Sequence, residues 1–344
     1  MKDQQVAIQK KRKGSHLDVV LNQPVEPFPS SFDQYRIPYT ALPEINYSDV
    51  DTTCSFLGRH LHLPFMISSM TGGITKGQAI NIQLAQAAET CKVAMALGSM
   101  RILLDRPDLA TTFQIRKYCP SVPLVANLGL VQLNHGIGAD EINKLLDLVE
   151  ADAIFLHINP LQEAIQSEGD TNFEQLIPKL AKLINKINKP VLVKEVGTGL
   201  DLKTIKRLAE IGVKWFDVSG QGGTNWALVE GARRNDKLGS IFQEVGIPTD
   251  EALIAATQVK GINLIAGGGI RNGLHIFKAL ALGANLTTAA RPVLLSAIKD
   301  TESAIKYIDQ LKHELQIAMF VTGCKNFEKI KQIQLKKIIL SNLL

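Results

Sequence analysis

Four polar side chains, His157, Asn159, Gln162 and Glu163, fall within seven residues, and carried on one strand end they would form a polar mouth. Glu163 supplies a hard oxygen ligand for a magnesium ion, which keeps several waters and binds substrate phosphates. The alternative is that Glu163 is the acidic first turn of a helix. Lys194 ends an otherwise apolar run, Pro190-Val191-Leu192-Val193, where an unpaired ammonium would be costly to bury. It therefore needs an anionic or carbonyl-rich partner such as a flavin, or else an ion pair with Glu195. The glycines Gly267, Gly268 and Gly269, followed by Arg271 and a helix start, place backbone N–H groups and a helix dipole where a phosphate can sit. The alternative is a tight turn alone. Gly267, Gly269 and Gly273 are spaced one residue too far for a dinucleotide fingerprint. No G-x-S-x-G elbow, H-E-x-x-H pair or Walker A loop occurs, which leaves serine hydrolases, zinc proteases and P-loop ATPases without support.

These groups need a scaffold that brings them together. From residue 63 onward, short apolar runs alternate with helical patterns, the signal of βαβ units and a parallel sheet. Eight strand candidates lie at 63–69, 93–98, 123–128, 153–158, 191–196, 215–219, 263–266 and 285–289. Between them, Ile142, Leu145, Leu146 and Val149 form a one-sided stripe over 139–150, and 201–212 and 272–283 repeat the pattern. The spacing predicts a single (β/α)8 TIM barrel over 63–325, with a doubly wound open sheet as the alternative. Residues 1–62, rich in proline, read as an N-terminal arm and irregular extension packed on the barrel. A C-terminal helix is expected over 303–320 and a basic, apolar tail over 326–344. Catalytic groups in such barrels sit at the C-terminal strand ends, and every predicted strand here ends in polar or glycine-rich sequence.

Composition agrees with a globular protein. The net charge of +5 is mild and suits anionic small molecules, so we expect no nucleic-acid partner. No apolar run of 18 residues and no signal-peptide pattern occurs, from which we expect no membrane insertion and a cytoplasmic location. The cysteines Cys54, Cys91, Cys119 and Cys324 are widely separated and read as reduced packing residues. Taken alone, the dense cluster Lys10-Lys11-Arg12-Lys13 reads as a solvated tail.

A combination of motifs in chain order adds to this reading. It comprises Arg12-Lys13…His16, Met70-Thr71-Gly72-Gly73, Gly98-Ser99-x-Arg101, His157-x-Asn159-x-x-Gln162-Glu163, Val193-Lys194-Glu195-Val196-Gly197, Asp217-Val218-Ser219-Gly220-x-Gly222-Gly223-Thr224 and Gly268-Gly269-Ile270-Arg271. Over roughly residues 12 to 295 the chain resembles the type 2, FMN-dependent isopentenyl-diphosphate isomerases. The resemblance implies that Ser69, Met70, Thr71, Ser99, Asn127, Lys194, Ser219 and Thr224 line FMN, with Gly268, Gly269, Arg271, Ala290 and Arg291 around its phosphate. It also implies that Arg12, Lys13, His16, Ser99, Arg101, His157, Asn159, Gln162 and Trp226 surround isopentenyl or dimethylallyl diphosphate, with Glu163 on Mg2+. Arg12 and Lys13 then belong to an arm folded over the barrel mouth. Gly14-Ser15 stand where the family usually carries an acidic residue, which bears on arm dynamics.

The implied reaction protonates C4 of an alkene and removes a proton from C2. Gln162 is the candidate catalytic side chain, but an amide is a poor acid, so the reduced flavin is favoured for the acid step and the C2 base is left open. NADPH is expected as reductant, and a homotetramer or a pair of stacked tetramers as the assembly. Competing readings are a 2-hydroxy-acid oxidase, an inosinate-dehydrogenase-like barrel, and a non-enzymatic flavin- or phosphate-binding protein. The oxidases carry a histidine base after the sixth strand, and the loop from Ser219 to Trp226 has none. The dehydrogenase type needs a cysteine on a strand-end loop of the right kind, and a mere binding protein has no use for Gln162-Glu163.

Overall fold

A computed structural model describes residues 2–338, with side chains from residue 10 onward. Eight parallel strands close into a barrel. In chain order they are β1 (Phe65–Ile67), β2 (Ala94–Ala96), β3 (Leu124–Gly129), β4 (Ala153–His157), β5 (Val191–Lys194), β6 (Trp215–Asp217), β7 (Asn263–Gly267) and β8 (Leu286–Ala289). Each coincides with a predicted strand, and most are shorter, because the ladder ends where each chain leaves its neighbour to form a loop.

Strand alternation sets the geometry of the site. Met66, Ala94, Ala96, Val125, Ala153, Phe155, Leu192, Ile265 and Leu286 pack together inside the barrel, while their strand neighbours, such as Ile67, Ala126, Leu156 and Val193, join the larger core under the helices. Side chains alternate between faces, so one further step of two residues turns Ser68, Asn127, His157, Lys194, Asp217 and Thr288 into the same interior, at the C-terminal rim. A small hairpin, Cys54–Phe56 with Arg59–Leu61, closes the opposite end. Its Phe56 and Leu61 join the interior cluster, and Phe56 meets Trp215 edge-on at 4.9 Å. The interior is thus filled from below, and among the described residues the C-terminal end is the one left open to a ligand.

Helices between strands follow the expected stripes. Ala139–Val149 buries Ile142, Leu145, Leu146 and Val149. Leu202–Glu210 is capped by Asp201, and Gly273–Ala281 by Asn272, each cap accepting a backbone N–H three residues on. The C-terminal helix spans Thr301–Val321.

Two features differ from the sequence expectation at the termini. Lys2–Asn22 is one continuous 21-residue helix and not part of an irregular extension. The prolines that suggested irregularity begin only at Pro24, which ends the helix; upstream, Gly14 alone departs from residues a helix tolerates well. Within the predicted tail, Phe327–Ile330 forms a helical turn, and Lys336–Lys337 pairs antiparallel with Tyr35–Arg36. The last residues of that tail, 339–344, lie outside the described residues, as does Met1. Among the described residues no helix is long and apolar enough to cross a membrane.

Candidate active site

One cavity opens at the C-terminal rim, and every residue implied above for flavin, substrate or metal lines it, whereas Gly267 of the three glycines does not. Ser68, Asn127, His157, Lys194 and Thr288 form its floor as inward-facing residues at or just beyond the ends of their strands. Ser69, Met70, Thr71, Ser99 and Arg101 follow β1 and β2, and Ser219, Thr224 and Trp226 follow β6. The arm helix covers the mouth, placing Arg12, Lys13 and His16 over the strand ends.

Burial of cations dominates the electrostatics. Lys194 lies fully within the barrel, and desolvation lowers its pKa against the opposing fields of Asp217 and Glu195. The Lys194–Glu195 ion pair weighed as an alternative does not form between side chains. Glu195 instead turns its Oε2 to the backbone N–H groups of Val196 (2.6 Å), Gly197 (2.6 Å), Thr198 and Gly199 (3.1 Å), while Lys194 Nζ donates to the Glu195 carbonyl at 2.5 Å. Its ammonium therefore borders the cavity with no side-chain carboxylate in contact. Desolvation and the charges of Lys194, Arg12 and Lys13 push His157 down to about 3, which keeps the ring neutral. Its Nδ1 faces Asn127 Oδ1 at 2.8 Å; with the proton on Nδ1, the Nε2 lone pair is left free.

The segment after β4 is organised by Asn159. It is the residue before the helix Pro160–Ile165, and its Nδ2 donates to Gln162 Oε1 (3.0 Å) and Glu163 Oε1 (2.9 Å). Glu163 Oε2 accepts the Asp170 N–H at 2.7 Å. Burial raises the Glu163 pKa, opposed by these hydrogen bonds and by Arg12. Arg101 is ion-paired with Asp170, which also accepts from Gln132 at 3.1 Å and meets His135 at 3.1 Å.

Glu230 was missed in the sequence. It is fully buried on the helix Trp226–Arg234, one turn beyond Trp226. Its Oε1 lies 2.7 Å from His16 Nε2 and accepts from Gln162 Nε2 at 2.9 Å, and its Oε2 pairs with Arg233. Gln166, oriented to satisfy both neighbours, donates to Glu230 Oε1 at 3.1 Å and accepts from Arg12 Nη1 at 2.9 Å. Burial opposes ionisation of Glu230, but His16, Gln162 and Arg233 outweigh it and hold its pKa below the ordinary value. A carboxylate at a buried helical position, four residues after Trp226, was the available signal.

At the other side of the mouth, Arg271 and Arg291 follow β7 and β8. Glu26 Oε2 approaches them at 3.1 and 3.6 Å, another residue absent from the sequence reading. Arg291 also donates to the Val20 carbonyl (2.8 Å) of the arm helix, and Arg271 to the Gly222 carbonyl (2.8 Å). Gly268 and Gly269 both adopt positive φ, and a Cβ on Gly268 would lie 2.1 Å from the Gly220 carbonyl oxygen. Gly268 is thus packed against Gly220 on one side, and it and Gly269 line the cavity on the other.

The solvated-tail reading of Arg12-Lys13 does not survive. Lys13 donates to the Ser99 carbonyl at 2.8 Å and lies over the Phe113 ring at 5.3 Å. Desolvation and Arg12 push its pKa down to about 7. Its charged form thus dominates only below about pH 7 in the free protein, so anion binding that needs the charge weakens as pH rises through that value. If the cavity binds a diphosphate there, kcat/KM is expected to fall about tenfold per pH unit on the alkaline side. Lys13→Arg should move that limb to higher pH, and Lys13→Ala or Arg12→Ala should lower kcat/KM about tenfold to a hundredfold. Wild-type kinetics in both alanine variants would exclude the arm from binding.

Comparison with known proteins follows the same lines. Residues 146–337 match the family described as FMN-dependent dehydrogenase. An isopentenyl-diphosphate delta-isomerase of Hydrogenovibrio crunogenus is 43% identical over 319 residues, covering 91% of this chain and 93% of that protein. One from Rickettsia akari is 41% identical, covering 97% and 99%. Among solved structures, a flavocytochrome b2 variant superposes with a TM-score of 0.69 at 18% identity, over 91% of this chain and 79% of that one. A lactate oxidase of Pediococcus acidilactici gives 0.63 at 19%, over 90% and 85%. At these identities the structural likeness speaks for the barrel fold alone.

Proposed function

The chain belongs to the isopentenyl-diphosphate delta-isomerases, and from that premise we propose that this cavity interconverts isopentenyl and dimethylallyl diphosphate with reduced FMN and Mg2+ and no net redox change. The observation that carries the proposal is the division of the cavity. Arg12, Lys13 and Arg101 gather at one part, Arg271, Arg291 and the glycine cradle at another, and Lys194 lies on the floor. Two separate anionic groups and one electron-rich ring are what such an arrangement can hold.

The residues fit FMN on the chain's own evidence. The Ser69 hydroxyl is buried with no partner, and Lys194 and the glycines Gly268 and Gly269 border the cavity. Ser69, Met70, Thr71, Ser99, Asn127, Lys194, Ser219 and Thr224 would hold the ring and ribityl chain, and Gly268, Gly269, Arg271, Ala290 and Arg291 the phosphate. When bound and reduced, FMN supplies an electron-rich face that stabilises positive charge at C3 and a site of proton exchange. Among the described residues no group of three or more His, Cys, Asp or Glu could hold a metal. A magnesium ion would rest on Glu163 and the substrate's own oxygens, which suits its preference for phosphates and retained water.

Arg12, Lys13 and Arg101 bind the diphosphate by charge-assisted hydrogen bonds. The neutral His157, fixed by Asn127, presents Nε2 as an acceptor. Trp226 and Met70 exclude water from the hydrocarbon end. Gln162, held between Asn159 and Glu230, faces that end, and the ionised Glu230 behind it fixes the amide and can exchange a proton through it. NADPH is the reductant, and the protein works as a cytoplasmic homotetramer or pair of stacked tetramers.

Glu163→Gln tests the metal assignment. An amide is a poorer ligand for a hard cation, so the Mg2+ concentration for half-maximal activity should rise about tenfold or more, with flavin content unchanged. An unchanged Mg2+ dependence would return Glu163 to a helix-start role.

A further inference from the structure

We propose that His275, paired with Asp33, is a positioning residue that sets the shape of the flavin-phosphate loop from behind and ties it to the N-terminal extension. The inference rests on the FMN reading of the cavity. His275 is buried in the first turn of the helix Gly273–Ala281 and does not line the cavity. Its Nδ1 lies 3.1 Å from the Gly269 carbonyl oxygen and 3.3 Å from the Arg271 amide nitrogen. Those two groups flank Ile270 in the loop that carries the glycine cradle. One ring atom therefore sits across the turn whose backbone would meet the phosphate.

The other ring nitrogen is committed to the extension. Nε2 lies 2.8 Å from Asp33 Oδ1, and Asp33 is on the short helical turn Ser31–Gln34. The same turn is held again by Lys278, one helical turn after His275, which donates to the Phe32 carbonyl at 2.9 Å. A Cβ on Gly269 would come within 3.0 Å of Ser30 Oγ, so the extension packs directly on the cradle. Asp33 favours the ring with hydrogen on Nε2, which leaves Nδ1 as an acceptor for the Arg271 N–H. Arg271 in turn reaches the Gly222 carbonyl and Glu26. Loss of the imidazole would remove the acceptor of the Arg271 N–H and the ring packed beside Gly269, while leaving the ring-binding floor at Lys194 and Asn127 untouched.

The proposal separates the two halves of the flavin. A residue that shapes only the phosphate loop should matter for FMN and not for riboflavin, which lacks the phosphate. Dissociation constants are measured for both by quenching of flavin fluorescence in the full-length protein, with phosphorus NMR of the bound FMN. His275→Ala is expected to raise the FMN dissociation constant about tenfold to a hundredfold, as for a lost buried hydrogen bond to a charged site, and to shift the phosphorus resonance. Riboflavin affinity should stay within about twofold, a change too small to signal a lost contact.

Asp33 is more than half exposed, so Asp33→Asn should leave the fold intact and raise the FMN constant about threefold to tenfold. Combined with His275→Ala it should add little, because the two act as one unit. His275→Gln, which can accept from Arg271 and donate to Asp33, should recover part of the affinity. Equal losses for FMN and riboflavin, or additive effects of the two sites, would overturn the positioning role. Wild-type protein that takes up no FMN would overturn the cofactor reading, and this inference with it.

Discussion

Enzyme reduced once with dithionite under anaerobic conditions is expected to convert isopentenyl diphosphate through many turnovers without consuming further NADPH, while the oxidised enzyme stays inactive. The two diphosphates are isomers, so the reaction adds a proton at C4 and removes one from C2 with no change in electron count. A reductant is then needed only to bring the site to its working state. In deuterium oxide the product should carry label at C4. The measurement is NADPH oxidised against product formed, and one mole per mole would make the chain an oxidoreductase. The local charge suits a site that keeps a flavin reduced. Lys194 borders the cavity with no carboxylate in contact, and an electron-rich ring is the partner that relieves its desolvation. A buried cation beside a bound flavin ring would also favour its reduced, anionic form over the oxidised one.

The second large effect is assigned to Glu230. Glu230→Gln should lower kcat about a hundredfold or more while leaving the FMN dissociation constant unchanged, since general acid–base contributions are of that size. The argument is geometric first. Glu230 Oε1 holds both Gln162 and His16, so it couples the segment after β4 to the arm helix. It is electrostatic second, because those contacts and Arg233 keep the carboxylate ionised in spite of burial. The acid limb of the kcat profile should therefore lie low in wild type, where Glu230 loses its charge on protonation, and disappear in the variant. Gln162→Ala should also lower kcat, and the double variant should be little worse than Glu230→Gln alone, since the pair acts as a unit. If Glu230→Gln retained both kcat and the acid limb, the carboxylate would be only a structural partner of Arg233.

The sequence by itself determined the barrel, because eight apolar runs separated by one-sided helical stripes have few other ways to bury both faces of each strand. It also determined which residues stand at the rim. Period-two alternation places Asn127, His157 and Lys194 two steps beyond Val125, Phe155 and Leu192, and side-chain direction along a strand is a local property. The wall residues that the barrel itself supplies were legible for the same reason, since they sit on strand ends or in the loops that follow them.

What only the tertiary structure decided is where long-range partners meet. That the basic N-terminal segment is a helix, and that it brings His16 to Glu230 across 214 residues of chain, depends on a docking surface no local pattern contains. The prolines that follow the helix masked it, since their density speaks of chain breaks and not of what precedes them. Glu26 between Arg271 and Arg291, and Asp33 against His275, are likewise acidic residues that look solvated when read alone. Their roles arise from charges and hydrogen bonds between segments more than 200 residues apart, and such interactions act through space. Periodicity reports on the face a residue occupies, whereas the identity of what lies opposite that face is set only when the chain has closed.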